Sequence, residues 1–593
     1  MAITLTTLVA GHRPDRLPPD EAGDRLFSEI DRLLTLLRGV ASEEGAALRV
    51  LTGAADGTDE ETARIAERLG LPLYLLAPGL PQPLTVSQKR AVRMVWLGAV
   101  DDALHSHEAF AIRDETALTF SDLLLVVWDG QSPQGLSGGT VRIAFQAALM
   151  MKPVVWLHTD GTVRLLDRTR LAASYQHKLR CPHPEPSWLR DCFTAPMDEQ
   201  SLRNQLAETI QLIIDPSRAA STDDAVRLAD YRDRTKPSNN AIRAGHFDKA
   251  MMALVRTDFA ELSKQFRSKI PQAYWGSAKV GDDHPTASLP LIEARFERSD
   301  VEASVAAGRH RDLTWLLYGA SALAVFAAVA GAIGLWFGSH GVFWPVTELV
   351  LISGIVGSFM LAKKHRWHEK WIGHRFVAEQ LRYAQMCLPL MGVPRPFMEP
   401  AWQVDNGVLH LASAELWFIQ RTLAIEGLPF STNGTEYIAN SKEVKAKTTD
   451  YVSQVVRDQQ TYHHDTHHKL HVVHERLHKL SMVLFGSTAL AVLAHFAIHA
   501  NWLLICTAFF PALAAAVHGL ATKLEITRIA GQSAVTERAL TEIIGAIKEA
   551  GIQPGWEGWL RLRQITLEAS RIMSDENGQW QKIVQHQGAE LPA

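Results

Sequence analysis

Hydrophobic positions along this chain follow two unlike patterns. Over the first third, short apolar runs (Ile3–Val9, Leu48–Thr52, Pro72–Leu76, Asp122–Trp128 and Pro153–His158) alternate with helical stretches such as Asp20–Val40, Asp59–Leu69 and Thr140–Met151. Short strands separated by helices predict an α/β domain, a Rossmann-like doubly wound parallel sheet. Further on the apolar positions run together, at Trp315–Phe337, Val342–Ala362, Leu480–Ile498 and Trp502–Thr522. Each run approaches the ~20 residues that cross ~30 Å of hydrocarbon at 1.5 Å per residue. They predict an all-α membrane domain with four transmembrane helices and long cytoplasmic helices.

Charge sharpens the division. Of the chain's 60 Lys and Arg and 64 Asp and Glu, a single residue, Glu348, falls within the four apolar runs. The overall 47% hydrophobic content therefore averages a globular part and a membrane part. A net charge of −4 offers no basic surface, so nucleic acid is not expected as a partner. Four cysteines without a CxxC pair argue against a disulfide framework and a paired-cysteine zinc site, and no cofactor or metal is assigned. Met1–Ala10 lacks the pattern of a cleaved signal, so the first domain is expected to stay in the cytoplasm.

The apolar runs pair into two hairpins, with tips at Gly338–Gly341 and His499–Asn501 that carry no Lys or Arg. Their other ends carry Arg309, Arg311, Lys363, Lys364, Arg366, Arg476, Lys479, Lys523 and Arg528. The positive-inside bias then puts both termini in the cytoplasm of a multi-pass inner-membrane protein. Leu317–Val325 (LYGASALAV) matches Leu484–Val492 (LFGSTALAV) at six of nine positions, which suggests duplication. Ser353, Gly354, Gly357 and Ser358 mark a helix contact face, and Pro511 is expected to kink the fourth span. Glu348, a costly intramembrane carboxylate six residues from an outer end, is either an interfacial residue or a pore-mouth candidate.

Residues 1–215 form the first domain, followed by a helical linker at 216–297, a first two-span unit at 298–397, a connector at 398–440 and a second two-span unit at 441–593. In the linker, Ala241–Lys269 reads as a helix and Pro271–Pro290 as a loop. Trp367–Gly392 reads as a helix projecting from the second span into the cytoplasm. A histidine-rich helix over Val452–Lys479 sets His464, His467, His468, His471, Glu475 and His478 on one face. That spacing suits a divalent metal or a pH response, but packing against neighbouring helices is the favoured reading of the His463–His478 run.

Candidate chemistry lies where strands end in glycine turns: Gly11, His12, Arg13 and Pro14; Gly53, Ala54, Asp56, Gly57 and Asp59; and Asp129 and Gly130, followed by Gly138, Gly139 and Thr140 before a helix. In doubly wound sheets ligands sit beyond these carboxyl ends, where glycines admit close approach and helix amides face anions. The sequence Trp128, Asp129, Gly130 with Gly138, Gly139, Thr140 ahead of Lys152–Val155 resembles the SLOG superfamily of nucleotide-sensing domains, over roughly residues 1–215. Catalytic members carry a glutamate three residues after the threonine and cleave N-glycosidic bonds; Ile143 stands there in this chain. The resemblance thus implies binding without turnover, with His12 and Arg13 near one phosphate, Gly53–Asp59 near ribose or base, and Gly138–Thr140 at a second phosphate. Arg13 and Arg142 are candidates for offsetting ligand charge.

The paired spans with flanking helices, including Trp371, Arg375, Glu379, Arg382 and Gln459–Tyr462, resemble SLATT membrane effector domains, here doubled. Together the two resemblances imply a non-enzymatic, homo-oligomeric effector. A nucleotide-derived messenger would open a pore or disrupt the bilayer in bacterial anti-phage signalling. The rival expectations are a membrane-tethered nucleotide N-glycosidase and a membrane scaffold recruited through its first domain.

Overall fold

The computed structural model describes residues 3–80, 83–98, 103–131, 139–178, 186–231, 245–256, 287–335, 341–431 and 436–584. The first domain follows the expected alternation: β1 (Ile3–Gly11), α1 (Asp20–Glu43), β2 (Ala46–Thr52), α2 (Thr58–Arg68), β3 (Leu73–Ala77), β4 (Arg93–Trp96), α3 (Ala103–Thr119), β5 (Leu123–Trp128), α4 (Thr140–Leu149), β6 (Val154–His158) and β7 (Val163–Leu165). Helices α5 (Arg168–Lys178), α6 (Pro186–Asp191), α7 (Glu199–Ile214), α8 (Thr222–Tyr231) and α9 (His246–Arg256) follow. Of the expected 241–269 helix the structure describes only α9; its remainder and most of the 271–290 loop lie outside the described residues.

The rest of the chain is dominated by long helices: α10 (Pro290–Ala332), α11 (Phe343–His365), α12 (Trp367–Cys387), α13 (Ala414–Glu426), α14 (Lys442–Ile498), α15 (Leu503–Lys523), α16 (Ile526–Ile552) and α17 (Gly555–Val584). The small hairpin β8 (Trp402–Asp405) with β9 (Val408–Leu411) precedes α13, and β10 (Glu436–Ile438) precedes α14. Four of these helices contain stretches long and apolar enough to cross a membrane. The first apolar run ends as helix at Ala332 rather than at position 337, and the third lies on the same unbroken 57-residue helix as the histidine run. Pro511 sits inside α15, which remains helical around it. The helix expected to project from the second run is instead separated from it by Arg366 at φ +51°, a left-handed residue that ends α11 and starts α12. Glu525, at φ +52°, makes the same break between α15 and α16, so the two halves repeat one arrangement.

The eight sheet strands run in the order β10-β4-β3-β2-β1-β5-β6-β7, all parallel except β7. Alternate side chains bury both faces, as a parallel sheet requires. Leu5, Val9, Val50, Leu75, Leu125 and Val127 pack beneath α1, α2 and α7, where Leu26, Ile30, Leu33 and Leu37 repeat at helical spacing. Leu8, Leu51, Leu76, Val95, Leu124, Val126 and Trp128 face the other way, into a core shared with Val377 and Leu381 of α12, Ile419 and Leu423 of α13, Val452 and Val455 of α14, and Trp559 and Leu562 of α17. One continuous core therefore joins the sheet to the helices that lead to the apolar segments. The segment 398–440 adds to this union: its strand β10 extends the sheet beside β4, and Tyr437 Oη donates to the Pro389 carbonyl at 2.9 Å.

Histidines inside the helical part predict acid sensitivity. Burial lowers both His374 and His463 from an ordinary value of 6.5 to about 4. Each stays neutral in the fold while the unfolded chain takes up a proton, so stability is present above pH 6.5 and lost as pH falls from 6.5 toward 4. Each contributes about 1.4 kcal/mol per pH unit in that window. The unfolding midpoint of the detergent-solubilised chain should drop over this range, and H374Q/H463Q should flatten the fall; an unchanged slope in the double variant would contradict the assignment.

Candidate ligand site at the sheet edge

The sequence of strands explains where the site lies. From β1 the chain winds outward through β2, β3 and β4, then returns to place β5 on the other side of β1, so the topological switch point falls between the carboxyl ends of β1 and β5. His12 follows β1 and Asp129 follows β5, and the two meet across this crevice, His12 Nε2 lying 3.2 Å from Asp129 Oδ1. Arg16 donates to Asp129 Oδ2 at 2.6 Å, and the Gln131 amide to Oδ1 at 3.0 Å. His12 Nδ1 is 3.4 Å from Thr140 Oγ1 at the start of α4. Burial pulls the His12 pKa down, with Asp129 opposing it. For Asp129 burial pushes upward, but the Gln131 amide, Arg16 and His12 together hold the carboxyl below its usual range.

The second turn is built on close approach. A Cβ on Gly11 would lie 2.5 Å from Thr58 Oγ1, and one on Gly53 would lie 2.2 Å from Asp59 Oδ2. Asp59 is buried and already accepts from Thr52 Oγ1 at 3.0 Å and from the Ala55 amide at 3.3 Å, so it holds the loop in shape. Burial raises its pKa while Arg113 opposes that rise. Ala54 packs with Ala77 and Trp96 beneath the turn, and Asp56 is exposed. Gly57 (φ +86°) and Gly139 (φ +121°) stand at the N-caps of α2 and α4, and neither helix start has a side-chain cap. The uncapped start of α4, with no acidic residue in its first turn, suits an anion, whereas the first turn of α2 carries Asp59, Glu60 and Glu61.

The structure brings Gly11, His12, Arg13, Gly53, Ala54, Gly57, Asp59, Asp129, Gly130, Gly139 and Thr140 to the carboxyl edge of one sheet. Gly138 lies outside the described residues. Glu348 is a half-buried residue of α11, remote in the fold from that edge. Ile143 is buried in the core beneath α4, so that position presents no group to the edge. Arg142 lies close enough to Glu115 to stabilise its charge, although burial still raises that carboxyl.

Three neighbours escaped the sequence reading. Arg16 braces Asp129; Phe110 and Arg113 of α3 close the side, with the Arg13 guanidinium 5.7 Å and that of Arg113 5.2 Å from the Phe110 ring centre. Nothing in the sequence linked Arg113 to Asp59, 54 positions away.

The histidine run takes a different place. His464 Nδ1 lies 2.9 Å from Glu537 Oε1, His467 Nδ1 2.9 Å from the Ala530 carbonyl, His463 3.4 Å from Ser533 Oγ and His474 3.1 Å from Thr527 Oγ1. These histidines join α14 to α16 beside a buried seam of Thr466, Leu470, Val473 and Leu477. Among the described residues no cluster of three or more His, Cys, Asp or Glu is placed to hold a metal.

Fold and edge together define an α/β domain with a mostly parallel eight-stranded sheet, built into a helical region with four long apolar helices. Comparison with protein-family models gives no match, and none of the curated proteins matches the chain.

Gly53→Ala checks how closely the second turn is built. Its methyl cannot fit without moving Asp59, so a loss of about 1–3 kcal/mol is expected by thermal or urea unfolding. Gly39→Ala on α1, where a Cβ meets nothing within 4 Å, should be neutral or stabilising by up to ~1 kcal/mol.

Proposed function

We propose that this protein is a membrane effector gated by a nucleotide-derived messenger. The messenger binds at the carboxyl edge of the sheet, its phosphates toward Arg13 and toward the start of α4, and its ribose or base toward Gly53–Asp59. The apolar segments of α10, α11, α14 and α15 span the bacterial inner membrane with both termini cytoplasmic, in a homo-oligomer. Binding opens a pore or disrupts the bilayer, arresting the cell in anti-phage defence.

The observation that carries this reading is the position of α3. Phe110 and Arg113 flank the ligand edge, and within the next turn Thr116 Oγ1 donates to the Met391 carbonyl at 3.3 Å while Glu115 lies 3.6 Å from Arg563. Met391 follows α12 and Arg563 belongs to α17, so a few residues separate the candidate site from the helices beneath the spans. A messenger shifts this equilibrium only by binding the open arrangement more tightly than the closed one. Burial of Ile143 supports binding without turnover.

Ligand-induced thermal stabilisation tests the binding step, since a ligand of the folded state raises stability by mass action. Full-length protein in neutral detergent is screened against cyclic mononucleotides, cyclic dinucleotides and ADP-ribose. At least one should raise the unfolding midpoint, and Gly57→Val and Gly139→Val should remove the shift. No stabilisation by any of them, or release of free base during incubation, would overturn this reading.

A further inference from the structure

A cavity of about 80 Å³, open on one side, lies away from the sheet edge and is lined by α10, α12, α14, α16 and α17. Helices adjoining every apolar segment contribute to its wall: α10 and α14 also carry the first and third segments, and α12 and α16 follow the second and fourth. The volume exceeds the ~10–15 Å³ one water needs, and leaves room for a small ion.

The wall is polar, and its two guanidiniums are each already paired with a carboxylate. Arg311 of α10 and Arg375 of α12 line it, with Tyr462 and Gln459 of α14 and Gln532 of α16; Glu379 is its one carboxylate. Glu379 is already shared, lying 2.5 Å from Arg375 Nη2 and 3.0 Å from Arg382 Nη1. Three further carboxylates stand behind the wall, Asp248 at 3.1 Å from Arg311, Asp300 at 3.6 Å from Arg375, and Asp312, whose charge also acts on Arg311; they hold the guanidiniums in place without lining the cavity. An added cation would meet two guanidiniums and a carboxylate engaged twice. An oxyanion would meet two guanidiniums on different helices, with hydroxyl and amide donors beside them, the arrangement that suits tetrahedral phosphate.

We propose that this cavity is a second ligand site, for a single phosphate-type oxyanion bound between Arg311 and Arg375. The ion ties α10 to α12 at the base of the first hairpin, and so sets how the helices below the apolar segments stand relative to one another. The site is independent of the nucleotide reading. Its phosphate comes either from a free anion or from a lipid headgroup, because Arg311 lies four residues, about 6 Å of helix, before the apolar run at Trp315.

The test uses the full chain in neutral detergent, titrated with sodium phosphate against sodium chloride at constant ionic strength. A parallel arm uses phosphatidylcholine vesicles with or without phosphatidylglycerol. Removing Arg311 or Arg375 risks unfolding, since each leaves a buried carboxylate. Ser304→Phe instead plugs the exposed mouth of the cavity and leaves every charge in place. A saturable rise of several degrees in the unfolding midpoint, abolished by Ser304→Phe, is expected in at least one arm: with phosphate for a free anion, or only with phosphatidylglycerol for a headgroup. A rise that survives Ser304→Phe reflects general salt stabilisation or the sheet-edge site, and it overturns the proposal, as does no rise in either arm.

Discussion

Arg421→Ala is expected to destabilise the protein by about 3–5 kcal/mol, the cost of leaving one partner of a buried ion pair uncompensated. Arg421 of α13 donates to Asp122 Oδ2 at 2.6 Å and to the Thr4 carbonyl at 2.6 Å, and both charged side chains are at most 5% exposed. The same helix end supplies the Ala424 carbonyl to Thr6 Oγ1 at 2.7 Å and the Ile425 carbonyl to Arg49 at 3.0 Å. Its last residue, Glu426, accepts from the amides of Leu291 and Ile292 at the start of α10. The pair therefore sits where the amino-terminal edge of the sheet is joined to the first long helix. Removing both charges with D122N/R421M should restore part of the loss, because the stranded carboxylate is gone while the buried Lys152 loses its neighbouring charge. Unfolding in urea with tryptophan fluorescence reads both variants, and a loss below ~1 kcal/mol for Arg421→Ala would show that this junction contributes little.

The second large effect concerns coupling. Arg563→Met removes a guanidinium that donates to the Met391 carbonyl at 3.2 Å and lies 3.6 Å from Glu115, while keeping much of the side chain's bulk. Affinity for the proposed messenger should stay nearly unchanged, since Arg563 does not touch the sheet edge. The response of the apolar helices should weaken by about 5–150-fold, the range of an ordinary coupling free energy of 1–3 kcal/mol. Binding measured by thermal shift and permeability measured in vesicles separate the two quantities. Equal loss of both would mean that Arg563 merely supports the fold.

What could be read from the sequence follows physical lines. Strands β1, β2, β3, β5 and β6 were visible because each is a short run rich in apolar and β-branched residues bounded by turn residues. Strand β4 was not, being four residues long and starting with Arg93, and β10 was not because three residues more than 300 positions downstream carry no signal that they belong to this sheet. The shared core between sheet and helices was hidden for the same reason: Val377, Ile419 and Trp559 look like ordinary helix apolar positions until their partners Leu124 and Val126 are known. Glycine turns announced the edge, since only backbone needs of that kind place glycine repeatedly after strands. The pairing of His12 with Asp129 spans 117 positions and could not be read from either neighbourhood. The left-handed breaks at Arg366 and Glu525 were equally silent, because neither residue type announces a positive φ.

Release of a trapped dye from liposomes is the most direct test of gating. The full chain is reconstituted into phosphatidylcholine–phosphatidylglycerol liposomes, and the nucleotide that stabilises it in detergent is added from outside to protein whose sheet domain faces outward. Dye should escape in proportion to occupancy, and Gly139→Val liposomes should stay sealed. Liposomes that keep their dye at saturating nucleotide, with binding demonstrated in the same sample, would contradict a ligand-gated membrane effector.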